Sequence, residues 1–265
     1  MEIKFNNVNF SYFADTPFSV EVIKNLSVSI FESKITGIIG QSGSGKSTLL
    51  KLMAGVLKPT SGIITGNRNV GILLQSPEKF FFWDTVYEEI YFNLKKNKIK
   101  GKNLLKHISD ALKMVGLNDN YLQRSPLELS RGEQKKVALA SLLAVNPKIL
   151  LLDEPLIGLD VSSQKKMIRL FRMLKVRYGK TIIIASNDSD FLHEMCDDIM
   201  LFDGKVISYD DKYSIFSNKN LLISCNVRQP KIMAFIQLVK DKKGINLEWR
   251  DDVNDVMKDI YRFVK

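Results

Sequence analysis

The sequence predicts an α/β fold: a mostly parallel sheet with helices on both faces. Three observations predict it. Short apolar runs bounded by turn residues recur at Ile35 to Ile39, Ile149 to Leu152 and Thr181 to Ser186, as strands buried on both faces require. Amphipathic segments alternate with them; in Gln164 to Val176, residues Met167, Ile168, Leu170, Phe171 and Leu174 form one buried stripe. A glycine-rich loop joins the first apolar run to a helical segment, Leu49 to Ala54.

In chain order, Lys4 to Phe10 alternates, with Phe5, Val8 and Phe10 apolar, and reads as a strand. A loop through Asp15-Thr16-Pro17 leads to Val20 to Ile30, its hairpin partner, with Leu26, Val28 and Ile30 on one face. These two form an N-terminal antiparallel β subdomain. Gly55 and the stretch Lys58-Pro59-Thr60-Ser61-Gly62 break the helix after the glycine loop. Asn69 to Leu74 is a short strand ending at Gln75-Ser76-Pro77. From about 78 to 137 glycines become rare and helical spacing dominates, notably over Thr85 to Phe92 and over Leu104 to Val115, which Gly116 stops. This predicts a helical insertion; its lysine-rich stretch, Lys95 to Lys106, reads as a solvated face. Asp203-Gly204-Lys205 is a hairpin turn. Beyond 211, Pro230 to Val239 and Asp251 to Val264 read as two helices of a small C-terminal appendage, 211–265. The second carries Val253, Val256, Met257, Ile260 and Phe263 on one face. Helices this short are marginal alone and must dock on the main domain or on a partner.

The glycine loop carries the first chemistry. Gly40-Gln41-Ser42-Gly43-Ser44-Gly45-Lys46-Ser47-Thr48 meets the pattern G-x-x-x-x-G-K-[ST] through Gly40, Gly45, Lys46 and Ser47. Glycines let backbone N–H groups turn toward an anion, and the helix opening at Lys46 adds its own free N–H groups and dipole. Lys46 reaches the β- and γ-phosphates, and the Ser47 hydroxyl can ligate Mg²⁺. A plain turn before a helix explains the glycines but not the lysine and serine that follow. The sequence therefore predicts a P-loop that binds a nucleoside triphosphate.

Asp153 and Glu154 end an apolar strand about 100 residues later, where open α/β sheets put ligands. Asp153 would hold Mg²⁺, and Glu154 would polarise the attacking water. Gln75, beside the helical insertion, can sense Mg²⁺ and water through its amide. Ser130 and Glu133 form a capping box opening another helix. That helix start, with Ser130 and Gly132 at its tip, is also a second phosphate-binding surface.

With 45% hydrophobic residues in 265, the chain can bury one large domain with an appendage. Its formal net charge of +10 suits an acidic partner but does not choose among nucleic acid, an anionic membrane face and nucleotide. No apolar run approaches a spanning length, and the N-terminus lacks a signal peptide's apolar block. Cys196 and Cys225, the two cysteines, read as reduced thiols, and His107 and His193 as ordinary histidines. A cytosolic location is expected, with only peripheral membrane contact.

These residues carry a family resemblance. Over about 1–210 the chain resembles the ATP-binding subunits of ABC transporters. The P-loop is shared with many ATPases; Leu129 to Gln134, which resembles the L-S-G-G-Q signature, is more specific. Asp153-Glu154-Pro155 with Gly158-Leu159-Asp160 resembles the family's acid motif and D-loop. By the same resemblance Tyr12 stacks on adenine, Gln75 is the Q-loop glutamine, and the core is RecA-like. Phe10-Ser11-Tyr12, Thr16-Pro17, Gln75-Ser76-Pro77-Glu78, Phe82 and Thr85-Val86 resemble the energy-coupling-factor type, importers of vitamins or metal ions.

The resemblance implies ATP and Mg²⁺ as cofactors and a head-to-tail ATPase dimer. Each ATP would lie between one chain's P-loop and the other's signature, so Ser130, Gly132 and Glu133 would serve the partner's nucleotide, beside Asp160. It implies a transmembrane coupling protein docked near Gln75 and Phe80-Phe81-Phe82-Trp83, a substrate-binding membrane protein, attachment at the cytoplasmic face of the cell membrane, and a C-terminal appendage used in dimerisation. The four aromatics form a hot spot if exposed and core if buried.

Two residues depart from the family pattern. Arg131 stands at the first signature glycine, and Asn187 stands where the family has His before Asp188. Asn can donate a hydrogen bond to a γ-phosphate but cannot carry positive charge. A complete P-loop and acid pair beside Asn187 predict tight ATP binding with slow hydrolysis here, and a non-identical partner carrying the faster site. Two other readings stand beside transport: a cytosolic ATPase of the same family acting on nucleic acid or ribosomes, and a regulatory nucleotide-binding subunit. The short insertion and the single cassette disfavour the first, so no nucleic-acid partner is expected; Glu154 argues against the second and Asn187 argues for it.

Overall fold

The computed structural model describes residues 3–66, 69–99 and 103–263. Two sheets stack. The smaller is antiparallel, ordered β2-β1-β4, from β1 (Ile3–Tyr12), β2 (Val20–Ile30) and β4 (Ser61–Gly66). The larger is ordered β5-β6-β7-β3-β8-β9. It comprises β3 (Ile35–Ile39), β5 (Val70–Leu73), β6 (Ile149–Asp153), β7 (Thr181–Ala185), β8 (Asp198–Phe202) and β9 (Val206–Asp211). All its pairings are parallel except β8 with β9, which fold back through Asp203-Gly204-Lys205.

The period-2 geometry of the parallel strands divides the core in two. Ile38, Leu151, Ile183 and Met200 face one way, toward Leu49, Leu50 and Leu52 of α1 (Lys46–Met53) and toward Phe5, Ile23 and Leu26 of the small sheet. Ile39, Leu150, Ile182, Ile184 and Leu201 face the other way, into the helices. Each such side chain, wholly withdrawn from water, stabilises by about 1.5–3 kcal/mol.

Those helices are α2 (Val86–Lys96), α3 (Leu104–Met114), α4 (Arg131–Ala144), α5 (Val161–Tyr178) and α6 (Ser189–Met195), then α7 (Lys212–Ser217), α8 (Lys219–Ser224), α9 (Lys231–Lys243) and α10 (Val253–Phe263). Their starts follow from capping. Thr85 and Glu88 make a capping box on α2, as Ser130 and Glu133 do on α4. Asp160, Asp188 and Asp211 cap α5, α6 and α7. Gly179, at φ 58°, ends α5.

The structure departs from the sequence reading in several places. Ser61 and Gly62 begin strand β4 rather than continuing a break: β1 offers an open edge, and pairing to it outweighs the weak strand preference of Ser and Gly. Residue 137, the expected end of the helical insertion, lies inside the continuous helix α4. The helices α7 and α8 were not expected; each is under two turns and is held by its cap and by Ile215, Phe216 and Leu222 in the core. Met233 of α9 joins the same core, so this part of the C-terminal segment is built into the main domain. Of the apolar stripe on α10, Val256 is buried and Ile260 partly so, while Val253, Met257 and Phe263 are exposed. Residues 100–102 of the lysine-rich stretch and Val264 lie outside the described residues; Lys95, Lys96, Lys98 and Lys106 are exposed.

Candidate nucleotide site

Strand β3 delivers the glycine loop to the carboxyl edge of the large sheet, and α1 leaves it. Two glycines are required there for different reasons. A Cβ on Gly40 would collide with the Phe202 carbonyl oxygen, so β8 sets the loop's entry. Gly45 caps α1 at φ 92°, which side-chain-bearing residues rarely adopt. Lys46 is buried. Its ammonium donates to the Gly40 and Gln41 carbonyls, both at 2.7 Å, and to Ser44 Oγ at 3.4 Å. Burial lowers its pKa, opposed by the Glu154, Asp153 and Asp203 carboxylates. Lys46 thus ties the two carbonyls at the start of the loop to the helix that follows it. The Tyr12 hydroxyl lies 3.1 Å from Thr48 Oγ1, and its ring packs edge-on against Phe10. This places Tyr12 at the loop's flank, with α1's second residue beyond Lys46 as its partner.

The acids arrive on β6, next to β7 and one strand removed from β3. Burial raises the Asp153 pKa, and a hydrogen bond with Ser47 opposes the rise, together with Lys51, Lys46 and Lys135. Ser47 and Asp153 therefore form a paired hydroxyl and carboxylate, a donor set that suits Mg²⁺. Among the described residues no group of three His, Cys, Asp or Glu side chains could hold a metal ion by itself. A Mg²⁺ ion here would complete its shell with phosphate oxygens and water, as this ion usually does.

Glu154 sits at φ 45°, in the left-handed region where residues other than glycine are strained. Its own N–H donates to the Ala185 carbonyl at 2.9 Å. Its carboxylate accepts from Ser186 Oγ at 2.7 Å and from the Asn187 N–H at 2.8 Å. Burial is the largest influence and raises its pKa, while those two hydrogen bonds oppose it. A carboxylate held this way and raised in basicity can polarise a water. The Asn187 side chain reaches the glycine loop, with Nδ2 donating to Ser42 Oγ at 3.2 Å.

The structure brings Gly40–Thr48, Asp153, Glu154, Asn187 and Tyr12 into one neighbourhood. Five expected residues make no hydrogen bond to it among the described residues. Gln75 lies two residues beyond the end of β5, not at the end of a strand, and is exposed. Ser130 is exposed at the tip of α4; its hydroxyl donates to Glu133 Oε2 at 2.7 Å. Both Glu133 oxygens are engaged inside this cap, Oε1 accepting from the Tyr121 hydroxyl at 2.7 Å, so its carboxylate points to its own helix. Asp160 Oδ1 likewise accepts from the Ser163 N–H at 2.9 Å as the cap of α5. Gly132 is half-buried, and a Cβ there would stand 3.5 Å from the Gly158 carbonyl and from Leu159. Of Phe80-Phe81-Phe82-Trp83, Phe81 is half-buried and packs against the core, whereas Phe80, Phe82 and Trp83 are exposed, as is the neighbouring Phe92.

Sequence reasoning missed Ser186, Lys135 and Gln164. The Lys135 ammonium donates to the Glu154 and Ile157 carbonyls, at 2.9 and 2.7 Å. Gln164 Nε2 donates to Leu159 O at 3.2 Å and Leu156 O at 3.4 Å. Side chains that bond to backbone carbonyls across the fold leave no spacing signal. His193 is core: among the described residues its Nε2 has no hydrogen-bond partner, the Asp251 carboxylate standing 3.8 Å away, and burial lowers its pKa.

Fold and site together define a P-loop ATPase. A family model described as ABC transporter matches residues 23–157, and the chain belongs to that family. It is 33% identical to the energy-coupling factor transporter ATP-binding protein EcfA2 of Staphylococcus epidermidis, over 91% of this chain and 90% of that protein. It is 36% identical to EcfA3 of Oenococcus oeni, over 91% and 89%. Among solved structures it resembles cbiO1 from Clostridium perfringens, described as part of the ABC transporter complex cbiONQ, with TM-score 0.70, 29% identity and coverage of 89% of this chain and 98% of that one. The cassette MJ0796, in a post-hydrolysis state bound to ADP and Pi, matches with TM-score 0.72, 27% identity and coverage of 79% and 98%.

Proposed function

We propose that this ATPase powers import of a micronutrient, a vitamin or a metal ion, as an ATP-binding subunit of an energy-coupling-factor-type transporter. It works at the cytoplasmic face of the membrane, paired head to tail with a second, non-identical ATPase. Its other partners are a transmembrane coupling protein and a substrate-binding membrane protein. The observation that carries the reading is the row of exposed aromatics, Phe80, Phe82, Trp83 and Phe92, beside exposed Gln75. Among the described residues no helix is long and apolar enough to cross a membrane, so transport requires partners, and an aromatic patch of this kind is how a partner is gripped.

In the working site, Gly40–Thr48 cradle the triphosphate, Lys46 exchanges its carbonyl partners for β- and γ-phosphate oxygens, and Tyr12 stacks on adenine. Ser47 and Asp153, together with Gln75, would hold Mg²⁺, which would supply charge neutralisation on the phosphates. Glu154 polarises the attacking water, and Asn187 hydrogen-bonds the γ-phosphate. Ser130, exposed, and Gly132, half-buried, lie at the tip of α4, where they would meet the nucleotide of the partner ATPase. The apolar face of α10 left open on this chain supports a dimerisation role for the C-terminal segment.

The test is purification of the tagged chain from detergent-solubilised membranes. A membrane protein and a second ATPase should accompany it in fixed ratio. Ribosomes or DNA instead would favour the nucleic-acid reading that the charge of +10 leaves open.

A further inference from the structure

Helix α4 carries Ser130 and Gly132 at its tip and Lys135 one turn in. Lys135 is 4% exposed. Its two hydrogen bonds go to the carbonyls of Glu154 and Ile157, the two ends of the loop's first turn. Among the described residues no carboxylate comes within ion-pair distance of it; Glu154, Glu78 and Asp153 act on it only through space. An ammonium withdrawn from water without a paired anion is costly, and an apolar side chain of similar length would suit stability better. Its placement therefore needs a reason other than packing. The loop it grips begins at the strained φ of Glu154 and ends at Asp160. Gly132, on the same helix, packs against Gly158 and Leu159 of that loop. Gln164 holds two further carbonyls of the loop, those of Leu156 and Leu159.

We propose that Lys135 is a positioning residue for hydrolysis: it locks the backbone of Glu154 and Ile157 to α4. A phosphate engaged at the Ser130–Gly132 tip and the Glu154 carboxylate then move as one piece. The inference rests on the function proposed above, because it takes the tip of α4 to meet the partner's nucleotide. Lys135 touches no substrate; it acts through the backbone of Glu154. Displacing a reacting group by about 1 Å can cost about 100-fold in rate.

The test compares wild type, Lys135→Met and Lys135→Arg, each assembled with the ATPase it co-purifies with. Lys135→Met should lower kcat by about 10- to 100-fold while KM for ATP stays within about twofold. Lys135→Arg, which keeps a charged donor, should recover most of kcat. Amide exchange is read on the same proteins without nucleotide. The 156–159 amides should exchange faster in Lys135→Met than in wild type or Lys135→Arg, with no change in α1. Full turnover in Lys135→Met, or unchanged exchange at 156–159, overturns the proposal. So does a loss that Arg fails to restore and that follows a general fall in Tm. If Lys135→Met does not fold, Lys135→Gln, which keeps one donor group, is read in its place. The exchange measurement decides the role of Lys135 even if the wild-type pair shows no turnover, an outcome that would count against the transport-ATPase reading instead.

Discussion

Asn187 Nδ2 donates to the Ser42 hydroxyl at 3.2 Å, joining the segment after β7 to the glycine loop. The Asn187 N–H meanwhile donates to Glu154 Oε1 at 2.8 Å. One residue thus links the glycine loop to the Glu154 carboxylate. Its amide can donate but cannot carry charge.

Asn187→His places an imidazole in that link. A hydrogen bond from a charged donor is roughly twice as strong as a neutral one. The gain, about 1–1.5 kcal/mol in the transition state, corresponds to about tenfold in rate. Single-turnover hydrolysis at this chain's P-loop, measured in the assembled pair, should rise by that order and fall again as pH rises through the imidazole pKa. A flat response would mean that Asn187 does not limit the site.

Glu154→Gln removes the carboxylate while keeping the shape. The Asn187 N–H, which reaches one carboxylate oxygen, can still donate to the amide oxygen, and the Ser186 hydroxyl, which reaches the other, can turn to accept from the amide NH2, so the loop should hold. Hydrolysis should drop by about 100- to 10,000-fold with ATP affinity little changed. ATP should then accumulate in a closed dimer visible by gel filtration. Normal turnover in this variant would remove Glu154 from its proposed role.

Part of this site was legible before any coordinates. Lys46, Ser47, Asp153 and Glu154 announce themselves because phosphate and metal chemistry demand those residue types in a local pattern. Buried strands such as Ile149–Asp153 were legible from their unbroken apolar runs. What stayed hidden depends on distant partners. Nothing near Ser61 marks it as a strand, because the edge it pairs with lies some 50 residues earlier. The φ of Glu154 and the grip of Lys135 on its carbonyl arise only when α4, β6 and β7 pack together. Asp160 and Glu133 show the converse. Their patterns fit a nucleotide site, yet their oxygens serve the helix starts, a local use that competes for the same carboxylates.

Two glycines of the loop should respond differently to alanine. A Cβ on Gly40 meets the Phe202 carbonyl, which belongs to a central strand and cannot yield. Gly43 has open space but sits at φ 85°. Gly40→Ala should therefore lose ATP binding and at least about 1–3 kcal/mol of stability through overpacking. Gly43→Ala should lose only the conformational strain, about 1–2 kcal/mol. Thermal melts and nucleotide titrations rank the two, and the reverse order would refute the steric argument.

The cap of α4 should show in acid. Hydrogen bonds from Ser130, then from Tyr121, hold the Glu133 pKa at about 2, below its ordinary 4.5. A depressed carboxylate contributes stability above its unfolded pKa and loses it as pH falls toward its folded one. The contribution is therefore complete above pH 4.5 and fades between 4.5 and about 2. Glu133→Gln lacks the titrating group. Its urea midpoint should lie below wild type at pH 7, and the gap should narrow between pH 5 and pH 3. A gap independent of pH would show that shape rather than charge holds the cap.

The exposed aromatics give the sharpest separation between the ATPase and its coupling. Phe82 is 83% exposed, so its ring contributes little to this chain's own core. The backbone beneath it is held independently, because the Phe82 and Trp83 N–H groups donate to Glu89 Oε2 at 3.1 and 3.3 Å. Trp83 packs on Phe92, with ring centroids 5.0 Å apart, so the patch is anchored to α2 and presents a preformed surface. Truncating a central interface aromatic typically costs about 2 kcal/mol or more of binding. Phe82→Ala should therefore leave Tm and ATP affinity of the isolated chain unchanged while weakening retention of the membrane partner by about 30-fold or more. Phe13→Ala, at the β1–β2 turn and also exposed, serves as the control for loss of a surface ring. Equal retention by both variants would place the membrane contact elsewhere on the chain.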